Sequence, residues 1–279
     1  MYSLYVAIAT AFLSILVPSL LGVSALWTFL PSVALGVGVF IWIRNRFKGQ
    51  VDAIMAEAMK EIEAMQAIAQ RGQQGPHVRV AIEAKINRAA QLMKSALPLG
   101  RWQVGLELQV NSQVGMLLFQ YCAFLPKEER NPRLGEVITH LEATRIKGPQ
   151  AKLFQGIWYA WACLAAAYTH LGKHSEALEV LEGAVAVAPA EGMLWSLYGW
   201  VCAQAKQQDK ALEVLARGAA ASQDPHLKAN LLAAQNKKPI KMGEYGQMWW
   251  GLGLEHSPQV AAMMQQQRVM GRVQMRGRR

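Results

Sequence analysis

Hydrophobic and polar positions divide the chain into four stretches, each with its own pattern. Residues 1–43 contain no charged side chain and no histidine. In residues 44–75 apolar positions recur every three or four residues, and stripes of the same helical period run through residues 76–235. Residues 236–279 are rich in Gly, Trp, Met and Arg. This pattern predicts an all-α protein with a transmembrane segment, a juxtamembrane amphipathic helix or linker, a helical-repeat domain and a basic tail.

The first stretch predicts two membrane spans, residues 4–21 and 24–43, because one membrane helix needs about 20 apolar residues. A hairpin of the two spans is the preferred interpretation, and a single span is an alternative. A cleaved signal peptide is a third interpretation, since Val23-Ser24-Ala25 resembles a cleavage site. That interpretation is weakened by the absence of Lys and Arg before the apolar run and by the second apolar stretch that follows it.

Small residues in the second span predict close packing against another helix. Ser32 and Gly36 are four residues apart, as are Ala34 and Gly38. Such pairs allow two helix backbones to approach each other in a membrane. The first span is the nearest candidate neighbour, which favours a tight hairpin.

Basic residues immediately after the second span predict its orientation. Arg44, Arg46 and Lys48 follow Ile43, and the positive-inside rule keeps such residues cytoplasmic. We therefore expect an integral protein of the inner or plasma membrane, with its repeat domain facing the cytoplasm.

The juxtamembrane stretch has an apolar seam with spacings of four and three residues. Its positions are Val51, Met55, Ala58, Ile62, Met65 and Ala69. Such a seam is typical of a coiled coil, which would join two copies of the chain. An amphipathic helix lying on the bilayer or on the repeat domain is the alternative that we favour, because two of the six positions are alanine. Residues 71–76 (RGQQGP) predict a break after this helix.

A repeat of 34 residues is the most informative pattern in the chain. Its first copy contains Trp161, Leu164, Ala165, Tyr168, Ala177, Leu181, Ala184 and Pro189, and its second contains Trp195, Tyr198, Gly199, Cys202, Ala211, Leu215, Gly218 and Gln223. A fixed period of this length indicates stacked helix pairs. The clear repeats are residues 158–191 and 192–225, followed by a capping helix at 226–235. Earlier helices are predicted at 77–97, 102–124 and 132–146, the last starting after the polar loop PKEERN.

These positions resemble the tetratricopeptide repeat (TPR) family, and the first copy is the closer match. The resemblance implies an α-solenoid in which the first helix of each pair lines a concave groove that binds a protein or peptide. It places seven candidate partner-binding residues in this groove: Tyr159, Thr169, His170, Met193, Ser196, Trp200 and Gln204. The Lys and Asn with which some members hold a terminal carboxylate are missing here, which favours an amphipathic helix or an extended apolar peptide.

The tail contains two further features. Trp249 and Trp250 could enter a bilayer interface, dock on the solenoid or bind a partner, and docking is the default expectation. The last twelve residues contain five arginines and no acid, which suggests binding to a membrane surface, an anionic partner or RNA, or a disordered solubilising end. These arginines are Arg268, Arg272, Arg276, Arg278 and Arg279.

Charge and composition add little that is specific. The net charge is +10, yet residues 102–225 carry ten basic and twelve acidic side chains, so the basic excess lies outside the clear repeats. The three cysteines are expected to be small core residues. His170 and His174 are separated by a predicted turn and do not make a metal site. Without a phosphate loop or a catalytic constellation, we expect neither an enzyme nor a cofactor or metal.

The leading functional expectation is a membrane-anchored TPR scaffold or adaptor that assembles partner proteins at the membrane. This plan resembles inner-membrane repeat proteins that support envelope assembly and biosynthetic complexes, by analogy of fold alone. Two alternatives stay open: a tether that holds RNA or ribosomes through the arginine-rich tail, and a structural homo-oligomer of a membrane complex.

Overall fold

The computed structural model describes residues 2–20, 25–70, 76–103, 105–123, 125–146, 149–259 and 262. Every regular element in this part of the chain is a helix, which confirms the all-α prediction. The chain forms two compact units, Met1–Leu117 and Leu118–Arg279. The turn predicted at residues 22–24 and residues 71–75 of the predicted break lie outside the described residues.

The first unit contains three long helices and the start of a fourth. These are α1 (Tyr2–Leu20), α2 (Ala25–Gln70), α3 (Pro76–Ser95), a 3₁₀ helix (Leu97–Arg101) and α4 (Leu106–Ala123), which continues into the second unit. α2 has 46 residues and is about 69 Å long at 1.5 Å per residue. The predicted second span and the predicted juxtamembrane helix are therefore one continuous helix. Arg and Lys are good helix formers, so the change of polarity at Arg44 does not end it.

α1 packs against α2 through small residues. A Cβ atom added to Gly36 would lie 3.0 Å from the Cβ of Ala11 and 3.1 Å from the carbonyl oxygen of Ala7. Gly38, in contrast, has no atom within 4 Å of such a Cβ. The Ser32–Gly36 face is thus the one that α1 approaches, and the Ala34–Gly38 face is not.

Most exposed large apolar side chains of the described residues lie in α1 and the first half of α2. Seventeen of them are between Tyr2 and Trp42, and five are elsewhere. Among the described residues, α1 alone is long and apolar enough to cross a membrane, with 19 residues, a mean hydropathy of 1.9 and 11% of it buried. The second span, in the first half of α2, stays a prediction.

α3 covers the apolar seam of α2. Val51 and Ala58 of the seam are buried, as are Ile86 and Ala89 of α3. The Nζ atom of Lys85 on α3 lies 2.8 Å from an Oε atom of Glu61 on α2. The seam therefore packs on a helix of its own chain. The coiled-coil alternative instead requires the seam to pack on a second copy of the chain.

An aromatic cluster lies where the apolar part of α2 ends. The ring of Trp102 stacks on Phe47 with centroids 5.2 Å apart and meets Tyr2 of α1 edge-on at 5.5 Å. The guanidinium of Arg46 lies 5.9 Å from the centre of the Trp42 ring. The start of α1 and residues 42–47 of α2 are therefore at the same end of the helix pair.

The second unit consists of short helices. They are α5 (Lys127–Glu142), a 3₁₀ helix (Pro149–Ile157), α6 (Trp158–His170), α7 (His174–Val187), α8 (Gly192–Gln204), α9 (Gln208–Ala221), α10 (Pro225–Gln235), a 3₁₀ helix (Gly243–Tyr245) and α11 (Gln247–Trp250). The α6–α7 pair recurs as α8–α9 with all four helix ends displaced by 34 residues. Each helix from α5 to α9 packs on the next one. The sequence period is thus a structural period.

The two helix pairs close with the same turn. Gly172, between α6 and α7, has φ +74°, and Lys206, 34 residues later, has φ +62°. Glycine adopts this left-handed conformation readily, whereas for lysine it costs about 1 kcal/mol. The second repeat therefore has the same turn backbone without the glycine.

Close packing within the second pair depends on two glycines. A Cβ on Gly199 of α8 would lie 2.7 Å from Leu215 of α9, and a Cβ on Gly218 of α9 would lie 2.5 Å from Trp195 of α8. The equivalent positions of the first pair hold alanine. The second pair therefore fits large side chains of one helix directly against the backbone of the other.

One predicted loop is wrong. The polar residues 127–131 form the first turn of α5, which starts at Lys127 and includes Pro132. Glu128 and Glu129 lie in this first turn, where negative charge interacts favourably with the helix dipole. Pro132 lies inside α5, five residues after its start, and removes one backbone hydrogen bond of the helix.

Candidate partner-binding face

The first helices of successive pairs lie side by side and form one face of the second unit. α6 contacts α8, and α8 contacts α10. Positions 162, 196 and 230 of these helices are 34 residues apart, and the amide of Asn230 donates to the hydroxyl of Ser196 at 3.3 Å. We call the surface formed by α6, α8 and α10 the inner face. All seven predicted partner-binding residues belong to α6 or α8.

The inner face is covered by a later part of the same chain, Met242–Glu255, which we call the docked segment. Trp249 and Leu252 of this segment are fully buried, and Met242 and Tyr245 are more than nine-tenths buried. Of the roles considered for the two tail tryptophans, the structure shows docking of Trp249 on the helical domain.

Two side chains of α6 bind main-chain carbonyls of the docked segment. The hydroxyl of Tyr159 donates to the carbonyl oxygen of Met248 at 2.9 Å. The Nε2 atom of His170 lies 3.0 Å from the carbonyl oxygen of Leu252. A carbonyl oxygen can only accept a hydrogen bond, so His170 carries a proton on Nε2. These contacts recognise the backbone and therefore do not depend on the identity of the bound side chains.

Two aromatic side chains of the docked segment contact α8. The hydroxyl of Tyr245 lies 2.8 Å from that of Ser196. The ring of Trp249 meets Trp200 edge-on, with centroids 5.2 Å apart, and its Nε1 donates to the carboxylate of Glu255 at 3.0 Å. The aromatic contacts supply both apolar area and directional hydrogen bonds.

Asn230 of α10 completes the site. Its Oδ1 atom accepts a hydrogen bond of 2.9 Å from the backbone N–H of Lys241, just before the docked segment. Reasoning from the sequence missed this residue, although it lies one period after Ser196 and this offset could have identified it.

Burial holds His170, Tyr159 and Tyr245 in their neutral forms. Burial, opposed by the hydrogen bond to Leu252 and assisted by the charge of Arg130, lowers the pKa of His170 to about 4. Burial also raises the pKa of Tyr159 and of Tyr245. At neutral pH the inner face therefore binds the segment through uncharged donors and aromatic rings.

The other predicted residues differ in their roles. Thr169 donates to the carbonyl oxygen of Ala165 in its own helix, at 2.8 Å, so its hydroxyl serves α6. Met193 is buried. Gln204 is exposed and lines a depression of about 750 Å³ together with Trp200 and Glu255. The five tail arginines lie outside the described residues.

Other reactive side chains do not form a site. The three cysteines are free and buried, and burial raises the pKa of Cys122 and of Cys202 to about 11. A buried thiol with a raised pKa is a poor nucleophile. Within the described residues, no group of three or more His, Cys, Asp or Glu side chains is arranged to hold a metal ion.

Comparison with known proteins adds no relative to this picture. No protein-family model matches the chain, and no curated protein matches it. The resemblance to the TPR family accordingly depends on the repeated residues, and the 34-residue displacement of the helix ends is compatible with it.

Proposed function

We propose that the protein is a membrane-anchored, TPR-like scaffold that binds partner polypeptides on its inner face and assembles them at the membrane. One observation carries the proposal. The inner face already binds an irregular polypeptide segment, through main-chain carbonyls and aromatic side chains. These are the contacts by which helical grooves and linear peptides recognise each other.

The anchor is proposed to be the α1–α2 pair. Leu20 and Leu30 are 78% and 75% exposed, and Phe12 is 62% exposed. Removing one such side chain from water is worth about 1.5–3 kcal/mol, so the seventeen together favour an apolar surrounding by tens of kcal/mol. A bilayer supplies this surrounding for the apolar length of both helices.

The orientation of the anchor is proposed from its charged end. Arg44, Arg46 and Lys48 lie next to the aromatic cluster of Trp102 and Phe47. Aromatic rings are enriched at membrane interfaces, and basic residues at the cytoplasmic one. Because α1 starts at the same end, the N-terminus and the helical-repeat unit belong to the cytoplasmic side in this proposal.

The anchoring part is tested by alkaline extraction of membranes from cells that express the full chain. We expect the protein to stay in the membrane pellet at high pH and to be released by detergent. Release into the aqueous fraction without detergent would contradict the proposed anchor.

The binding part is tested by photo-cross-linking in intact cells. A photoreactive amino acid replaces Gln204, which is exposed beside the docked segment, or Glu213 on the exposed side of α9 as a matched control. We expect distinct cross-linked partner proteins from position 204 that are missing from position 213. The same products from both positions would contradict a role for the inner face.

A further inference from the structure

The docked segment buries four side chains, Met242 and three that follow it at fixed spacing. Tyr245, Trp249 and Leu252 are four and three residues apart, and all three are buried. The side chains of Gln247 and Met248 between them are exposed. The inner face thus distinguishes two aromatic positions and one leucine position, and it leaves the side chains at positions 247 and 248 unspecified.

Glycines allow the segment to come this close. A Cβ on Gly251 would lie 2.8 Å from the hydroxyl oxygen of Tyr159, the group that binds the carbonyl of Met248. Gly246 has φ +58° and Gly253 has φ +62°, conformations that other residues rarely adopt. A ligand of this face therefore needs glycine on both sides of its tryptophan.

The segment can leave without breaking a helix of the repeat domain. The backbone hydrogen bonds that residues 243–253 donate end within the segment itself, as in Tyr245 N to Met242 O. Its helical parts have three and four residues, too short to be stable without support. Side-chain contacts to the inner face are therefore what holds it.

The covalent link makes the segment a strong competitor. Six residues, 236–241, connect α10 to Met242. A short link gives the docked segment an effective concentration of about 1 mM at the inner face. A separate ligand must therefore compete with this segment, which is present in every molecule. The apparent affinity of a separate ligand is reduced by the small fraction of molecules in which the face is free.

From these observations, and assuming the scaffold function proposed above, we infer the kind of partner that fits. The inner face recognises a glycine-flanked segment of another polypeptide with two aromatic side chains four residues apart and a leucine three residues further. The docked segment occupies the site as a built-in competitor, and a partner with the same chemistry displaces it.

The test uses the full chain in detergent micelles and a fluorescent synthetic peptide with the sequence of residues 242–256. Trp249→Ala weakens the built-in competitor, and Gly251→Val does so by a second route in case the first variant unfolds. Gln247→Ala is the matched control, because the side chain of Gln247 is exposed. Far-UV circular dichroism establishes that each variant is folded.

We call Trp249→Ala and Gly251→Val the opened variants. We expect both to bind the peptide at least about tenfold more tightly than the wild type, because the inner face is free in a larger fraction of the molecules. Gln247→Ala should bind the peptide as weakly as the wild type does. Adding Tyr159→Phe to an opened variant should weaken binding about fivefold, because the bond to the peptide carbonyl is lost. A peptide with alanine in place of its tryptophan should bind much more weakly.

Three results would overturn the inference. They are failure of folded, opened variants to bind the peptide, equal binding by wild type and opened variants, and equal binding of the alanine peptide. Light scattering tests whether two copies exchange their docked segments. A dimeric wild type would mean that the segment is not an intramolecular competitor. The alkaline extraction is independent of these results, so failure of the partner chemistry is distinguishable from failure of the proposed anchor.

Discussion

The close contact between Gly218 and Trp195 gives the sharpest test of the repeat packing. Gly218→Ala would place a Cβ atom 2.5 Å from the Cγ atom of Trp195, whereas carbon atoms in contact are normally about 3.5–4.0 Å apart. The equivalent residue of the first pair is Ala184. The substitution therefore makes the two repeats alike at this position, and yet we expect it to destabilise the protein.

Trp195 has little freedom to move away. Its Nε1 donates to the carbonyl oxygen of Pro189 at 2.9 Å, and the guanidinium of Arg217 lies 5.5 Å from the centre of its ring. Overpacking of this kind costs about 1–3 kcal/mol, and displacement of the ring adds the loss of a hydrogen bond of about 1 kcal/mol. Alanine recovers about 1 kcal/mol of helix propensity. The net expected loss is about 2 kcal/mol.

The measurement is urea unfolding of the full chain in micelles, followed by circular dichroism. Gly183→Ala is the control, because Gly183 lies in α7 and a Cβ there meets no atom within 4 Å. That variant should gain up to about 1 kcal/mol from helix propensity alone. Equal stabilities of the Gly218→Ala and Gly183→Ala variants would refute the packing of α8 on α9 described above.

Three further predictions concern other contacts. Gly36→Val should destabilise the α1–α2 pair in micelles by about 1–3 kcal/mol through overpacking, and Gly38→Ala, with open space around it, should not. Lys206→Gly should raise the free energy of unfolding by about 1 kcal/mol in the same urea titration, because it relieves a left-handed lysine at the position equivalent to Gly172. The pKa of His170 is about 4 in the folded chain, against its ordinary value of 6.5. Below pH 6.5 the unfolded chain therefore binds a proton at His170 that the folded chain does not. The stability that the neutral form contributes is fully present above pH 6.5 and is lost as the pH falls to about 4. Urea titrations across this range should show the wild type losing about 2–3 kcal/mol of unfolding free energy relative to His170→Gln.

The repeat bounds could be predicted because their signals are local. Trp161 and Trp195 recur at one period, and small residues mark where helices cross, so α6 and α8 begin at the predicted residues 158 and 192. The start of α5 could not be predicted in the same way. Charged residues and Pro132 suggest a loop, but Glu128 and Glu129 are favourable in the first turn of a helix, and α5 accommodates Pro132 inside it.

The cover of the inner face depends on contacts that no local pattern contains. Tyr159 and Met248 are 89 residues apart in the sequence, and a helical period does not indicate which distant segment a face will bind. The tryptophans of the tail suggested docking, but its location on the predicted groove required the three-dimensional arrangement. Asn230 became meaningful in the same way, once its hydrogen bonds to Ser196 and Lys241 were known.

Because α2 is one continuous helix, the angle about its axis between the side that contacts α1 and the side that contacts α3 is fixed. Each residue advances an α-helix by about 100°. A single inserted residue near Gly49 would therefore rotate the side of α2 that contacts α3 by about 100° relative to the side on which Gly36 contacts α1. An insertion of seven residues, close to two full turns, would restore the phase and lengthen the rod by about 10 Å. The side of α2 on which α3 packs is therefore set by the side on which α1 packs. No break in α2 between these two contacts could compensate for a change in their relative angle.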